Sequence, residues 1–299
     1  MEYKEYKGYR IFEKENGIII ENVKDFNLVH TFECGQCFRW TRESNGSFTG
    51  VVRDKAVNVL LEGENLIIEN ATFNDFIDLW YDYFDLGRDY SEIKRVLSRK
   101  DEIMRKAIDF GYGIRILRQD FWETLISFII SANNRIPMIK KTVEQMSRKF
   151  GKEIEFNGKT YYTFPSVEKL AEECIESLQV CGGGFRCKYI SETAKMVRNG
   201  EIDLSLLYVL DRNGARKTLE KLPGVGPKVA DCTLLYSGIK YDVFPTDVWV
   251  KRVMEELYFH RTASLTEIQK FASDYFSELA GFAQQYLFYY ARENRIGTN

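Results

Sequence analysis

Histidine is nearly absent from this chain, with His30 and His260 the only two, and its six cysteines (Cys34, Cys37, Cys174, Cys181, Cys187 and Cys232) follow no paired framework. A zinc site on Cys34-x-x-Cys37 would need a second pair or histidines at ligand spacing, and neither is present. No metal site is expected, the thiols should be reduced, and the Cys34/Cys37 pair reads as structural. There is no signal peptide, no apolar run long enough to span a bilayer, no low-complexity tract and no repeat of fixed period. These absences exclude secreted disulfide scaffolds, membrane spans and solenoids, and make the cytoplasm the expected location. Neither sign of charge dominates, since the formal net charge is −2 over 299 residues, a length that suits two or three modules.

Charge is instead laid down in blocks. The stretch SANNRIPMIKKTVEQMSRKFGK holds six basic residues against Glu144 alone. CGGGFRCKYISETAKMVR holds four against Glu192, and RNGARKTLEKLPGVGPK five against Glu220, whereas SVEKLAEECIESL between them is acidic. Three basic segments in an otherwise neutral chain fit either solvated helix faces or a one-sided surface for a polyanion.

Up to about Glu69 the pattern is that of antiparallel strands: GIIIENV, CFRW, SFTGVV, VNVLL and NLIIEN are short or alternating apolar runs broken by Asn-Gly, Asp-Lys and Glu-Gly turns. From Asp75 onward apolar residues recur at three- and four-residue steps, from DFIDLWYDYF through DFWETLISFIISANN and PSVEKLAEECIESLQV to SLTEIQKFASDYFSEL, which opens on a Ser264-x-x-Glu267 capping box. The expected fold class is α+β, with an N-terminal antiparallel sheet domain and its flanking helices at 1–115 packed on a mainly helical region at 116–299.

Within the helical region LPGVGPKVADC joins two amphipathic segments. Ala215, Leu219 and Leu222 lie on one side of the first, and Pro227 suits the first position of the second. The expected element is a helix–hairpin–helix over 211–238. Gly224 and Gly226 are expected to take positive φ, and the free N–H groups of the turn form an anion site that suits a phosphate. Lys228 then sits in the first helical turn, where the positive end of the helix dipole opposes an ammonium. Two readings stand: a solvated lysine reaching a phosphate, or an amine kept uncharged for nucleophilic attack.

The chain resembles the helix–hairpin–helix, Gly-Pro-Asp superfamily of DNA base-excision glycosylases. The resemblance is carried by LPGVGPKVADC followed by VFPTDVWVKRV, which places Asp247 nineteen residues after Lys228. ECGQCFRW, LRQDFWETLISFIISANNRI, GFRCKYI and GFAQQYLF are similar, in the same order, to segments of the 8-oxoguanine DNA glycosylases. That resemblance implies a site in the cleft between a sheet domain and a helical domain. It also implies double-stranded DNA containing 8-oxoguanine as partner, a target nucleotide flipped out of the stack, and a monomer with no obligate protein partner. Lys228 would attack the sugar C1′, form a Schiff base and nick the strand by β-elimination, while Asp247 stabilises the developing cation. Asp247 also reads as a helix N-cap.

The resemblance assigns the base to Gly35, Cys232, Pro245, Gln284 and Phe288. The Gly35 carbonyl would read the N7 proton of 8-oxoguanine, with Gln284 on the base edge and Phe288 on its plane. Without it, Gly35 reads as a strand bulge, Phe288 as core and Cys232 as a small buried residue. DNA contacts would come from Asn133 and Asn134, Met138, Phe185 and Arg186, and from Gly224, Gly226, Val229 and Trp249. Otherwise the asparagines read as a helix end and Arg186 as a phosphate or water ligand. Eukaryotic members carry arginine, tyrosine and histidine where this chain has Met138, Phe185 and Trp249. No cofactor is expected. No cysteine follows Cys232, which argues against an iron–sulfur cluster, though the hairpin carbonyls leave room for a monovalent cation.

Overall fold

The computed structural model describes residues 2–298 and has the expected α+β organisation. Seven antiparallel strands, β1 (Lys4–Tyr6), β2 (Tyr9–Lys14), β3 (Gly17–Ile20), β4 (Trp40–Arg42), β5 (Phe48–Val52), β6 (Lys55–Glu62) and β7 (Asn65–Glu69), form one sheet in the order β1-β2-β3-β7-β6-β5-β4. Register follows alternation: Ile18 pairs with Ile68, Ile20 with Leu66, and Ile68 in turn with Val59, all fully buried on one face. Strands β1 and β2 lie within the stretch expected to be antiparallel, although neither run stands out in the sequence. Their apolar positions are diluted by Lys, Glu and Arg, and only Ile11 of β2 is fully enclosed. A two-residue turn at Lys7 and Gly8, both in the left-handed region, joins them. Helix α1 (Leu28–Phe32) lies between β3 and β4, and a helical stretch at 73–83 adds Phe76 and Trp80 to the sheet core, Trp80 stacking on Phe84.

The helices that build the second core are α2 (Tyr90–Ser98), α3 (Glu102–Phe110), α4 (Phe121–Ser131), α5 (Ile136–Phe150), α6 (Arg186–Arg198), α7 (Arg212–Leu219), α8 (Pro227–Tyr236), α9 (Val248–Val253), α10 (Leu265–Phe276) and α11 (Ala280–Glu293). The two hydrophobic cores interleave along the chain ahead of residue 115. The sheet core runs to Leu86 and takes only Leu117 from later in the chain, whereas Tyr90, Leu97, Met104 and Ala107 belong to the helical core. The physical reason is that the apolar faces of α2 and α3 turn toward α11, where Tyr90 meets Phe282 edge-on with ring centroids 5.7 Å apart.

The acidic segment expected as one helix splits into Val167–Glu172 and Ile175–Gln179, and an unforeseen hairpin, β8 (Glu153–Phe156) with β9 (Lys159–Tyr162), follows α5. All six cysteines are free thiols, and Cys34 and Cys37 are buried. No helix among the described residues is long and apolar enough to cross a membrane.

Candidate active site

The hairpin expected over 211–238 is present as α7, a turn and α8. Asp211 caps α7 by accepting from the Gly214 N–H at 2.8 Å, and Pro227 opens α8. Gly224 has φ +77°, and a Cβ there would stand 2.8 Å from Tyr189 Cγ, so the turn requires glycine twice over. Gly226 departs from expectation: its backbone is extended (φ −97°, ψ −178°), and a Cβ would meet no protein atom within 4 Å. Among the described residues the N–H groups of Gly224, Gly226, Lys228 and Val229 have no acceptor. Four free donors at a helix start make an anion site. Val229 takes part only through its backbone, because its side chain is buried in the helical core.

These two glycines separate folding from binding. Gly224→Val should lower the melting temperature strongly. Gly226→Val should melt near wild type yet weaken lesion and undamaged duplex alike, by about tenfold, because the new side chain occupies the space a phosphate needs. Thermal melts and fluorescence anisotropy on both duplexes check this, and a loss confined to lesion DNA would move the phosphate grip elsewhere.

Lys228 enters a cleft of about 270 Å³ lined by Gly35, Phe128, Lys228, Cys232, Tyr236, Pro245, Asp247, Gln284 and Phe288. Every residue assigned to catalysis or to the base from the sequence is thus in one place. Lys228 Nζ donates to Ser131 Oγ at 3.0 Å and stands 4.8 Å from the centre of the Phe128 ring. Ser131 in turn donates to the Phe128 carbonyl at 2.7 Å, so its oxygen lone pairs face the amine and fix its position. One turn further along α8, burial pushes the Cys232 thiol up to about 12, which keeps a neutral SH beside the amine.

Asp247 is both cap and cleft residue. Its Oδ1 accepts the N–H groups of Trp249 and Val250, each at 2.9 Å, and starts α9, while Oδ2 has no partner among the described residues. Burial pushes the carboxyl above the usual carboxylate range, and the Val250 N–H, Lys228 and the Trp249 N–H pull it back. The 244–246 loop that delivers it is anchored to the hairpin. Arg216 of α7 holds Asp231 of α8 with two bonds, at 2.7 and 2.8 Å, and donates to Gln269 at 3.0 Å. Gln269 then donates to the Phe244 carbonyl at 2.6 Å and to Thr246 Oγ1 at 3.0 Å.

Gln284 is buried and its Oε1 has no partner, an uncompensated acceptor at the cleft wall that the N–H edge of a purine would satisfy. Phe288, one turn on, offers its ring, and Pro245 closes the other side of the loop. Ser131, Phe128 and Tyr236 were not foreseen. Tyr236 continues the Lys228, Cys232 stripe by four more residues, and Ser131 follows Phe128 by three on α4, so helical spacing would have found both.

Toward the outer rim, Met138 and Phe185 are exposed and Trp249 is half-buried. Asn133 takes a left-handed conformation (φ +50°) just past α4, and Asn134 folds back to donate to the Ile130 carbonyl at 3.1 Å. Arg186, expected to reach the opposite base, is buried instead. Its guanidinium donates to the carbonyls of Ala132 (2.8 Å from Nε), Asn133 (2.9 Å) and Gly183 (3.4 Å), pinning the glycine-rich loop to the end of α4. Four of its five N–H donors are thus engaged, and a two-pronged contact with a base would require it to release one of these.

Comparison with known proteins agrees with this geometry. A family model described as the N-terminal domain of 8-oxoguanine DNA glycosylase matches residues 18–125, and one described as the HhH-GPD superfamily of base excision DNA repair proteins matches residues 126–278. A structure of the Clostridium acetobutylicum 8-oxoguanine glycosylase/lyase, in complex with double-stranded DNA containing cytosine opposite 8-oxoguanine, is 49% identical with a TM-score of 0.94 over 99% of this chain and 100% of that one. MBOgg1, solved in complex with a low affinity DNA ligand, is 54% identical with a TM-score of 0.93, covering 96% and 99%. A probable N-glycosylase/DNA lyase of Methanothermobacter thermautotrophicus is 35% identical over 66% of this chain and 69% of its own. The chain therefore belongs to the HhH-GPD superfamily of base excision DNA repair proteins, in the branch that carries the 8-oxoguanine DNA glycosylase N-terminal domain.

Proposed function

We propose that this protein is a bifunctional DNA glycosylase and abasic-site lyase that excises 8-oxoguanine from duplex DNA. The observation that carries the reading is the convergence of the Lys228 amine and the Asp247 carboxylate, from separate helices, on one cleft beside four free N–H donors. The donors grip a backbone phosphate without regard to sequence, and the flipped nucleotide enters the cleft. There the bond from C1′ to the base breaks with its electron pair leaving on the base, and the Lys228 amine supplies a new pair to C1′. The carboxylate of Asp247 opposes the positive charge that builds on the sugar. The aminal so formed opens as the nitrogen pair makes the C=N bond and the C1′–O4′ bond breaks, with O4′ taking up a proton the amine has lost; loss of a proton from C2′ of this Schiff base then expels the 3′ phosphate by β-elimination, and hydrolysis frees the lysine.

The test is a duplex carrying one 8-oxoguanine, with strand scission followed before and after alkali. Scission before alkali supports both activities, scission only after alkali supports excision alone, and none at either stage sinks the reading.

Opposite-base choice follows from Met138. Methionine has no donor for the acceptors of a facing cytosine, so only the Arg186 fork remains for that base, once freed from the loop. The enzyme is expected to remove 8-oxoguanine opposite all four bases with modest preference for cytosine. Met138→Arg should sharpen that preference by roughly tenfold, since a good base contact is worth about 1–3 kcal/mol. Single-turnover excision from four duplexes differing only in the opposite base measures it, and a wild type as strict as the variant would remove Met138 from the account.

A further inference from the structure

Four consecutive carbonyls follow α1, at Glu33, Cys34, Gly35 and Gln36, and three of them are taken. Arg292 Nη2 donates to the Glu33 carbonyl at 2.6 Å, Gln285 Nε2 to that of Cys34 at 3.1 Å and Gln119 Nε2 to that of Gln36 at 2.8 Å. The Gly35 carbonyl accepts nothing among the described residues. Gly35 has φ +87°, and a Cβ there would press on Phe288 at 3.0 Å and Arg292 Nη1 at 3.1 Å, so the turn packs directly against the face of α11 that lines the cleft.

The clamps are themselves fixed. Tyr236 donates to Gln285 Oε1 at 2.5 Å, which couples the cleft wall to the turn. The Gln36 side chain donates to the carbonyls of Thr31 and Arg115, both at 2.8 Å, and accepts the Leu117 N–H at 2.9 Å. Gln36 and Gln285 are fully buried, so these bonds have no competition from water.

We propose that Gln119, Gln285 and Arg292 are positioning residues for lesion specificity: by tying down the neighbouring carbonyls, they leave Gly35 as the one carbonyl of the turn with no donor and hold it rigidly toward the base. A purine with a proton on N7 satisfies that acceptor, whereas unmodified guanine presents a lone pair there and leaves the carbonyl facing another acceptor. Discrimination then depends on the turn being unable to swing away, which is what three side chains from distant segments provide. The inference rests on the 8-oxoguanine reading above.

Gln285→Met and Gln119→Met each remove one clamp without changing charge. Single-turnover excision of 8-oxoguanine should fall at least tenfold in each, while nicking of a preformed abasic site, which needs Lys228 but no base, stays within about twofold of wild type. Arg292→Lys retains a donor and should keep both activities, and Arg292→Met should lose base excision selectively. Equal loss of both activities would make the three side chains merely structural, and unchanged 8-oxoguanine excision would remove them from recognition; either outcome overturns the proposal. A wild type that nicks abasic DNA but leaves 8-oxoguanine in place would instead overturn the substrate reading on which it stands.

Discussion

Lys228→Gln is expected to abolish base excision, by at least about 10³-fold, and to leave no protein–DNA adduct on borohydride treatment, while lesion duplex still binds. The binding persists because the grip consists of backbone N–H groups at Gly224, Gly226, 228 and Val229, which the substitution does not touch. Glutamine preserves a polar end on the cleft wall without the nucleophilic amine. Single-turnover excision and an electrophoretic binding assay on the same preparation separate the two functions. Substantial turnover in the variant would show that Lys228 serves phosphate after all.

Asp247→Asn isolates a charge from a cap. Asparagine caps helices about as well as aspartate, so the bonds to Trp249 and Val250 survive and the melting temperature should move by no more than a few degrees. The negative charge facing the sugar is lost. Removing one preorganised electrostatic partner of a transition state costs about 10²–10³ in rate, and a fall of that size in single-turnover excision is expected. A variant with normal activity per folded molecule but a much lower melting temperature would confine Asp247 to the start of α9.

The site was legible where chemistry coincides with helical periodicity. Lys228, Cys232 and Tyr236 lie four apart on α8, and Gln284, Phe288 and Arg292 four apart on α11, so each helix presents one ladder to the cleft. The first two rungs of each ladder were read, and the third was not, because tyrosine and arginine at a helix end look like ordinary core and surface. The Gly35 turn was placed only through the resemblance. Its significance lies in a carbonyl left unpaired, a fact of three-dimensional bonding that no local pattern encodes. The same applies to Arg186, whose local sequence suggests an exposed cation and whose burial depends on where α4 happens to end. That the helices flanking the sheet pack into the helical core was not legible, because α2 and α3 are amphipathic in sequence without any mark of which core their apolar faces will join.

The bond from Gln285 to the Cys34 carbonyl spans 251 residues. A ribosome adding about 5–20 residues per second takes roughly 10–50 s to cover that distance, long enough for the sheet to fold and wait. Throughout that interval the Gly35 turn lacks two of its three clamps and the cleft lacks Gln284 and Phe288, since all four side chains reside on α11. A nascent chain that has already emerged with Lys228 and the hairpin can grip DNA but has no finished place to judge a base. Base recognition is thus deferred to the end of synthesis, when α11 arrives with the side chains that complete the Gly35 turn and the cleft.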